Sequence, residues 1–597
     1  MRIALLISFC FLTYTSNAQN TIGAVGTWRE HYNNKDIFQV IKGDHYYLAA
    51  KNQIISYNEE NKQVAYLGKS NGLHEIGIQT IAWDQLNQQL IIAYTNSAID
   101  IVQGDQVYLI NDIKTTSLFN NKKIKNIRVN AGLAFVDTEF GLVIIDLKNH
   151  EIKETWQTKD LAQAETLYKL SSIPYIKSID LLSESIKSIN IGGPNNYLNG
   201  IASVNETQLV IPYANNNKGF ATYSDQGWKN IYSLQNNTIP SLEYSSVNPI
   251  NQIFWLANAS NVYSYDGSQI QLLQSNNMGT IKNIAFSKNG SGWILNDQKG
   301  LTYIQNNNTK SYGLPSGINL NGNSKMVANQ QEQIWITNPS IQGVYVFQSD
   351  NHFTTATWIQ KTTGSNNGNL PSNKVTSIIE DNDGAIWVGT DNGIGIFNCG
   401  DISKEACNAY LPIVKTNGFN AYLFQKETIL CMAVDAANRK WIGTNNGSWL
   451  ISQDGLSIIE HFTKENSPLP TDTIYQIVIE PTNGEVFFQT SQEWVSYRGT
   501  ATKAANHQAA VFIYPNPVPP NFNGPISFKN LVENAQVKIT DLTGKLVFHT
   551  RAQGGQAIWN GKTYEGNSVA TGIYLVFVRD EEGNEKGVGK IMITKGY

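Results

Sequence analysis

The chain has 597 residues, more than one hydrophobic core usually organises, so several domains are expected. Only 15% of the residues are charged, while 13 Trp, 28 Tyr, 22 Phe and 47 Gly are typical of a β-rich protein with many turns. The net charge of -4 gives no bulk electrostatic preference for nucleic acid or for a membrane surface.

Residues 1–18 predict a secretory signal peptide. Arg2 precedes an apolar run over residues 3–12, and Ser16-Asn17-Ala18 predicts cleavage between Ala18 and Gln19. The run is too short to span a bilayer. We therefore predict that the chain is exported through the inner membrane.

Residues 19–195 contain three copies of a short β meander. Equivalent strands contain Tyr47, Ile91 and Phe135, which recur at steps of 44 residues, the period of a propeller blade. Residues 160–170 are a candidate for a short helix or a surface loop. Residues 191–194, Ile-Gly-Gly-Pro, are a turn cluster at which we place a boundary.

The meander resumes in residues 196–350, assigned to a second propeller, and in residues 351–498. Its best copy covers residues 373–397, where Asp-Gly and Asn-Gly turns separate three apolar runs. One register of the repeat carries a tryptophan in five copies: Trp255, Trp293, Trp335, Trp387 and Trp441. Side chains that recur at one register favour a role in the core over a role as sugar platforms.

About ten such copies exceed one ring of four to eight blades, so we predict two β-propellers. The copies need not divide in sequence order. The C-terminal blades in residues 351–498 either belong with the middle blades or close the first ring around them. The repeat leaves this choice open.

The last hundred residues differ from the preceding repeats in composition and pattern. Residues 499–510 are small and polar and predict a linker. Residues 511–597 contain seven short β-prone runs, which indicates an immunoglobulin-like β-sandwich. The predicted fold class is therefore all-β, with two propellers followed by a sandwich.

Three cysteines follow the signal peptide. Cys399 and Cys407 flank a short loop, and in an oxidising compartment we expect a disulfide between them, the alternative being two free thiols. Cys431 lies in an apolar run and is predicted to be a buried free thiol.

No motif in the sequence predicts catalytic residues, a metal site or a cofactor. Residues 381–384, Asp-Asn-Asp-Gly, lack the spaced oxygen ligands of a calcium loop and predict a hairpin turn. Residues 287–293 resemble the Asp-box turn of sialidases only weakly, and no pair of catalytic carboxylates accompanies them.

The densest basic run is the one candidate for a ligand contact. Lys122, Lys123, Lys125 and Arg128 are a candidate contact for an anionic saccharide, because lysine and arginine bind phosphate and carboxylate groups. The alternative is a solvated strand edge guarded by lysine.

The C-terminal domain resembles the sorting domain of the type IX secretion system. The matching segments are residues 514–517 (Tyr-Pro-Asn-Pro), 537–544, 559–561 (Trp-Asn-Gly) and 572–576. The stretch 373–397 is similar to the propeller repeat of two-component regulators. Together with residues 26–31, 191–194 and 434–444, these segments make the chain resemble PorZ-type proteins of the type IX attachment complex.

Compared with that family, the first propeller is predicted to be shortened, because residues 137–210 lack a full blade. The resemblance implies a function without enzymatic activity at the outer-membrane cell surface. It implies a sortase-like protease and outer-membrane anchor proteins as partners, with an anionic lipopolysaccharide as ligand and no nucleic acid. The alternative hypothesis is a secreted type IX cargo protein whose propellers bind or degrade a polysaccharide. The two hypotheses differ in whether residues 511–597 are retained or cleaved.

Overall fold

A computed structural model describes residues 23–33, 37–157, 200–213, 217–234, 237–274, 279–305, 308–320, 324–349, 355–416, 419–508, 510–520, 522 and 524–594. The predicted signal peptide, its cleavage site at Ala18 and Gln19, and the predictions for residues 160–170 and 191–194 lie outside these residues. Almost all regular structure is β, as predicted, with one 3₁₀ turn at Lys69–Asn71 and one short helix, α1, at Asp112–Thr115 among the described residues. No helix among them is both long enough and apolar enough to cross a membrane.

The N-terminal propeller contributes three described blades, each an antiparallel four-stranded sheet in sequence order. Their strands are β2 (Gln39–Lys42), β3 (Tyr46–Ala49), β4 (Ile54–Tyr57), β5 (Val64–Leu67), β6 (Ile78–Asp84), β7 (Gln89–Tyr94), β8 (Ile99–Gln103), β9 (Gln106–Ile110), β10 (Ile124–Asn130), β11 (Leu133–Thr138), β12 (Gly141–Asp146) and β13 (Glu151–Gln157). The first strands of neighbouring blades, β2, β6 and β10, pack side by side. The three copies of the predicted 44-residue repeat are these three blades.

The second propeller is a ring of seven blades. Blades 1 to 4 have the strands β14 (Ser203–Val204), β15 (Leu209–Pro212), β16 (Phe220–Ser224), β17 (Gly227–Ile231), β20 (Tyr244–Val247), β21 (Phe254–Ala257), β22 (Val262–Tyr265), β23 (Ile270–Gln274), β24 (Ile281–Phe286), β25 (Gly292–Asn296), β26 (Gly300–Gln305), β27 (Asn308–Tyr312), β28 (Lys325–Ala328), β29 (Ile334–Thr337), β30 (Val344–Ser349) and β31 (Ala356–Lys361). A hairpin of β18 (Ser233–Leu234) and β19 (Asn237–Thr238) lies between blades 1 and 2 in the chain.

Blades 5 to 7 complete this ring. Their strands are β32 (Val375–Glu380), β33 (Ile386–Thr390), β34 (Gly393–Phe397), β37 (Cys431–Val434), β38 (Lys440–Thr444), β39 (Gly447–Ile451), β40 (Ile458–Phe462), β41 (Ile474–Glu480), β42 (Glu485–Thr490) and β43 (Trp494–Arg498). A second hairpin, β35 (Ile413–Thr416) with β36 (Phe419–Tyr422), follows blade 5. The inner strands pack in the order β14, β20, β24, β28, β32, β37 and β41, and β41 returns to contact β14. The ring is therefore closed.

The outer strand of blade 7 comes from the other end of the chain. Strand β1 (Trp28–His31) pairs antiparallel with β43, with Trp28 opposite Tyr497 and His31 opposite Trp494. The N-terminal propeller is consequently inserted between β1 and β14. Of the two arrangements that the repeat leaves open, the structure has the one in which residues 196–350 and 351–498 share one ring. The predicted division is wrong for Trp28–His31, which was assigned to the N-terminal blades but completes blade 7, because strand pairing joins it to the far end of the chain.

One hydrophobic cluster fills each seam between neighbouring blades of the ring. The five tryptophans predicted to be core residues are buried there, each between its own blade and the next: Trp255, Trp293, Trp335, Trp387 and Trp441. Because alternate side chains of a strand face opposite sides of its sheet, one register of the repeat supplies the same seam in every blade. These tryptophans are therefore packing residues.

The C-terminal domain is a sandwich of two sheets, as predicted. Its strands are β44 (Phe512–Tyr514), β45 (Ile526–Lys529), β46 (Gln536–Thr540), β47 (Leu546–Arg551), β48 (Ala557–Trp559), β49 (Gly572–Arg579) and β50 (Glu585–Ile593). Strands β44, β45 and β48 form one sheet, and β47, β46, β49 and β50 form the other. Their inner faces bury a core that contains Phe528, Val537 and Trp559.

Candidate functional site

The predicted basic run does not form one open cluster. Lys122 donates from Nζ to the carbonyl oxygen of Lys114 at 2.8 Å, and Lys125 forms an ion pair with Glu139 at 3.2 Å. Lys123 is exposed just before β10, and Arg128 lies within that strand. The protein itself thus binds the ammonium groups of Lys122 and Lys125, and the run as an anion contact remains a prediction.

The predicted cysteine pair and the turn at residues 381–384 are structural features of blades 5 and 6. Cys399 and Cys407 are joined by a disulfide with a Cα–Cα distance of 5.8 Å, and Cys431 is a buried free thiol. In the turn, Asp381 accepts a hydrogen bond from the indole of Trp387 at 3.0 Å and pairs with the buried ammonium group of Lys440 at 2.9 Å. The carboxylate therefore joins two blades, and the described residues contain no group of three or more ligands able to hold a metal ion.

Polar side chains at the seam between blades 7 and 1 form a connected, largely buried network. His31 of β1 bonds through Nε2 to the hydroxyl of Ser496 at 2.8 Å, and that hydroxyl donates to the carboxylate of Glu485 at 2.6 Å. Arg29 reaches the same carboxylate at 3.8 Å and donates to the hydroxyl of Tyr223 at 3.0 Å. This network connects the N-terminal strand to both blades that meet at the ring closure.

The direction of the hydrogen bonds determines what this network can do. The indole of Trp228 donates to Nδ1 of His31 at 3.0 Å, so Nε2 carries the ring proton and donates it to Ser496. A histidine that activates a serine must instead accept the hydroxyl proton. Burial, reinforced by the charge of Arg29, lowers the pKa of His31 to about 3, so the ring is neutral at physiological pH. The arrangement holds the closure together and is oriented against nucleophilic catalysis by Ser496.

A cleft of about 350 Å³ opens beside this network. Arg29 and Glu485 form one wall, and Glu206, Asp225 and Glu480 add carboxylates. Burial raises the pKa of Glu485, and the same effect together with the charge of Glu485 raises the pKa of Tyr223 to about 12. The cleft offers one guanidinium among several carboxylates, which suits hydrogen bonds and ion pairs.

The predicted linker between the ring and the sandwich is held on both sides. The amide of Lys503 donates to the carbonyl of Pro481 in blade 7, and the amide of Gly555 in the sandwich donates to the carbonyl of Thr502, both at 2.6 Å. The side chain of Lys503 also pairs with Glu206 at the rim of the cleft. Ala501 and Thr502 are each only 3% exposed. The backbone at the start of the linker is thus part of an interface.

Two adjacent glycines allow this close approach. A Cβ at Gly554 would lie 2.2 Å from the carbonyl oxygen of Thr502, and one at Gly555 would lie 2.1 Å from that of Lys503. Only glycine leaves room for a neighbouring backbone at such distances.

Sequence reasoning missed the closure network and the docked linker. Residues 26–31 contributed to the resemblance, but the sequence of a single strand does not show which blade it completes. Their part in the ring closure was therefore not predicted. The Gly-Gly pair before β48 was the available signal for the docking contact, since an isolated glycine next to a strand indicates a close backbone approach.

Comparisons with known proteins agree with this domain composition. Residues 46–197 match the family model of the PorZ N-terminal β-propeller domain, residues 512–594 match the secretion system C-terminal sorting domain, and residues 369–392 match the two-component regulator propeller. A search of curated proteins gave no significant match.

Several solved structures align with this chain at low sequence identity. PorZ, an essential surface component of the type IX secretion system of Porphyromonas gingivalis, aligns with a TM-score of 0.69 at 16% identity, covering 96% of this chain and 100% of that one. The extracellular domain described as that of a hybrid two-component system from B. thetaiotaomicron aligns with a TM-score of 0.41 at 14% identity, covering 93% of this chain and 86% of that one. A streptogramin B lyase covers 51% of this chain and 93% of its own, with a TM-score of 0.36 at 14% identity.

Proposed function

We propose that the chain is a PorZ-like component of type IX secretion, exported to the cell surface in association with the outer membrane, because family models of that system match residues 46–197 and 512–594. We propose that it acts there without enzymatic activity, as a scaffold for the sortase-like protease and the anchor proteins of the attachment complex. We further propose that it binds and delivers the anionic lipopolysaccharide that is joined to cargo. Residues 1–18 would direct its passage through the inner membrane.

The observation that carries the scaffold function is the docked sorting domain. A protease that removes a sorting domain needs an extended, accessible stretch of backbone before that domain. Here the carbonyl of Thr502 and the amide of Lys503 are already bonded, and Ala501 and Thr502 are buried. These contacts favour retention of residues 511–597, which a scaffold needs and a processed cargo protein lacks.

Two further observations support an assembly role over catalysis. The closure network around His31 donates its proton toward Ser496, which is the wrong direction for nucleophile activation. The recurring tryptophans, which in an open cleft would suit sugar stacking, are used between blades.

The first test is the intact mass of the chain recovered from the cell surface. We expect residues 511–597 to be present. A surface form that ends near Arg498 would contradict the scaffold function and favour the cargo alternative. Deletion of the protein should also leave other proteins with sorting domains unprocessed or unattached, and normal processing in the deletion strain would refute the proposal.

The role of docking can be tested with a matched pair of glycine variants. Gly555→Ala places a Cβ against the carbonyl of Lys503 and should expose the linker, so that trypsin cuts it much faster. Gly572→Ala is the control in the same domain, because no atom lies within 4 Å of its Cβ position. Equal cleavage rates in the two variants and the parent chain would show that docking does not protect the linker.

A further inference from the structure

The four-stranded sheet of the C-terminal sandwich presents one face to the core and the other to the outside. Along β46 and β49, buried side chains alternate with more exposed ones. The buried set includes Val537, Val576 and Val578, which belong to the sandwich core. The alternate side chains of β46, β47, β49 and β50 therefore share one surface, which we call the outer face.

The strand register places two arginines in one row of the outer face. Gln536 lies opposite Arg551 on one side and opposite Arg579 on the other. In the next row of the same face, Lys538 lies opposite Phe577. Residues directly opposite each other on neighbouring strands lie about 5 Å apart, so these positions form one patch.

Apolar side chains occupy the other half of the outer face. Ile573 lies opposite Met592, and Leu575 lies opposite the exposed Lys590. Ile573 is 43% exposed and Met592 is 47% exposed. Large apolar side chains that adjoin each other at the surface of a regular sheet are typical of an interaction surface.

The charge of the outer face is opposite in sign to that of the chain. Arg551 and Arg579 are exposed, and Lys538 and Lys590 add two more cations. Among the residues that the described strand pairing places in these rows, only Glu585 is acidic, opposite Arg579. The chain as a whole carries a net charge of -4. A second copy would bring the same cations against this face, so charge complementarity favours a partner that presents carboxylates.

A cleft of about 390 Å³ is lined by both arginines of this face. Asp580 and Glu581, from the turn between β49 and β50, also line it. The carboxylate of Asp580 already accepts hydrogen bonds from the backbone amide and the side chain of Asn584, at 2.8 and 3.0 Å. A guanidinium group can bind a carboxylate through two parallel hydrogen bonds, so Arg551 and Arg579 are suited to carboxylates of a partner.

The contacts that hold the sandwich on the ring and the linker come from elsewhere in the domain. Leu531 accepts from the amide of Ala505, Gly555 donates to Thr502, and the side chain of Gln556 donates to the carbonyl of Thr500. Leu531, Gly555 and Gln556 lie outside β46, β47, β49 and β50. The docked sandwich therefore uses other residues for the ring than those of the outer face.

We propose that the outer face is a docking surface for a partner protein that presents an acidic patch beside an apolar one. Arg551 and Arg579 bind its carboxylates, and Ile573 and Met592 cover its apolar side chains. A polysaccharide would meet the cations but would leave the apolar half without the close packing of an interface core. The proposal deepens the scaffold function and rests on it for the presence of a protein partner.

The test is photocrosslinking of the full-length chain in intact cells, with p-benzoylphenylalanine at the position of Met592. We expect an adduct with another protein, whose crosslinked segment contains more Asp and Glu than Lys and Arg when it is identified by mass spectrometry. The matched control carries the same label at the position of Leu542, which is 66% exposed in the turn between β46 and β47 and lies outside the outer face. Added salt should lower the yield at Met592, because exposed charges are screened.

Charge reversal tests the arginines within the same experiment. Arg551→Glu and Arg579→Glu should each lower the adduct yield by about tenfold, the usual loss for one hydrogen bond to a charged group. Both side chains are exposed, so the variants should fold, which their thermal transitions will check. Lys562→Glu reverses an exposed cation outside this sheet and should leave the yield unchanged.

The proposal is overturned if no adduct forms at Met592, if the label at Leu542 gives an equal yield of the same adduct, or if both arginine variants crosslink like the parent. An adduct with lipopolysaccharide, with lipid or with a second copy of the chain would also overturn it.

These outcomes are independent of the test of the proposed function. Cargo that stays unattached in the deletion strain but attaches normally with both arginine variants, together with no adduct at Met592, would preserve the scaffold function and refute this docking surface. Normal cargo attachment in the deletion strain, together with an arginine-dependent adduct with an acidic protein, would do the reverse.

Discussion

The ring closure should weaken in acid because of one buried histidine. Ser496 and Trp228 hold His31 in its neutral form, and burial lowers its pKa from 6.5 to about 3. Since the folded pKa lies below the unfolded one, the stability of the closure is complete above pH 6.5 and is lost as the pH falls toward 3. The perturbation to apply is acidification of the parent chain and of His31→Gln, which can replace both hydrogen bonds but cannot titrate.

The size of the effect follows from proton binding. Between about pH 8 and about pH 5, the unfolded chain takes up nearly one proton at His31, whereas the folded chain takes up almost none. This difference costs the folded state about 2 kcal/mol, and the value changes little if the folded pKa is one unit higher or lower. Glu493, in the loop before β43, acts in the opposite direction, because burial raises its pKa to about 7. Its contribution cancels when the parent and the variant are compared at each pH.

Hydrogen exchange of the peptides that contain β1 and β43 is the appropriate assay, because it reports opening of this seam rather than unfolding of every domain. After correction for intrinsic exchange rates, the parent should lose about 2 kcal/mol more opening free energy than His31→Gln over this pH range. His549→Gln, at an exposed position in the sandwich, should behave like the parent. Equal pH dependence in the parent and His31→Gln would refute the assignment of His31 as a buried neutral ring.

Three further changes test other parts of the molecule. Lys440→Met leaves the buried carboxylate of Asp381 unpaired and should destabilise the ring by about 3 to 5 kcal/mol in urea unfolding. Adding Asp381→Asn should restore much of that loss. An unchanged unfolding midpoint in the single variant would contradict this ion pair. Cys399→Ser with Cys407→Ser should lower the free energy of unfolding by about 2.5 kcal/mol, the entropy of closing a disulfide loop of this length. A reducing agent should lower the thermal midpoint of the parent but not of the double variant. Burial lowers the pKa of Lys529 to about 8, so the charged ammonium group destabilises the folded sandwich at about pH 7. Lys529→Met should therefore raise the free energy of unfolding at about pH 7 and have less effect at about pH 10. A lower free energy of unfolding at about pH 7 would contradict a desolvated ammonium group.

Local sequence patterns predicted most of the elements. Alternating apolar residues between Asn-Gly and Asp-Gly turns predicted the meanders, and the structure has strands at Val375–Glu380, Ile386–Thr390 and Gly393–Phe397 in the best copy. The register at which tryptophan recurs also predicted which residues pack between neighbouring blades. These predictions succeed because turn geometry and strand alternation depend on neighbours in sequence.

The arrangement of the blades was not predictable in this way. All blades have nearly the same pattern of apolar residues and turns. The repeat therefore does not show which blades are neighbours in space and which are only consecutive in sequence. Strand β1 carries too few residues to identify β43 as its partner. The inserted N-terminal propeller and the seven-membered ring therefore became visible only in the tertiary structure.

The sequence by itself determined the all-β composition, the repeat, the C-terminal sandwich and the family resemblance at both ends of the chain, since each depends on short stretches of residues. Only the tertiary structure decided the neutral proton state of His31, the burial of Thr502 in the docked linker, and the hydrogen bond between Asn283 and Ser324 across a seam of the ring. Each of these depends on contacts between segments that lie far apart in the chain. Burial, charge and hydrogen-bond direction at such contacts are set by the closure of the ring and not by the residues next to them in sequence.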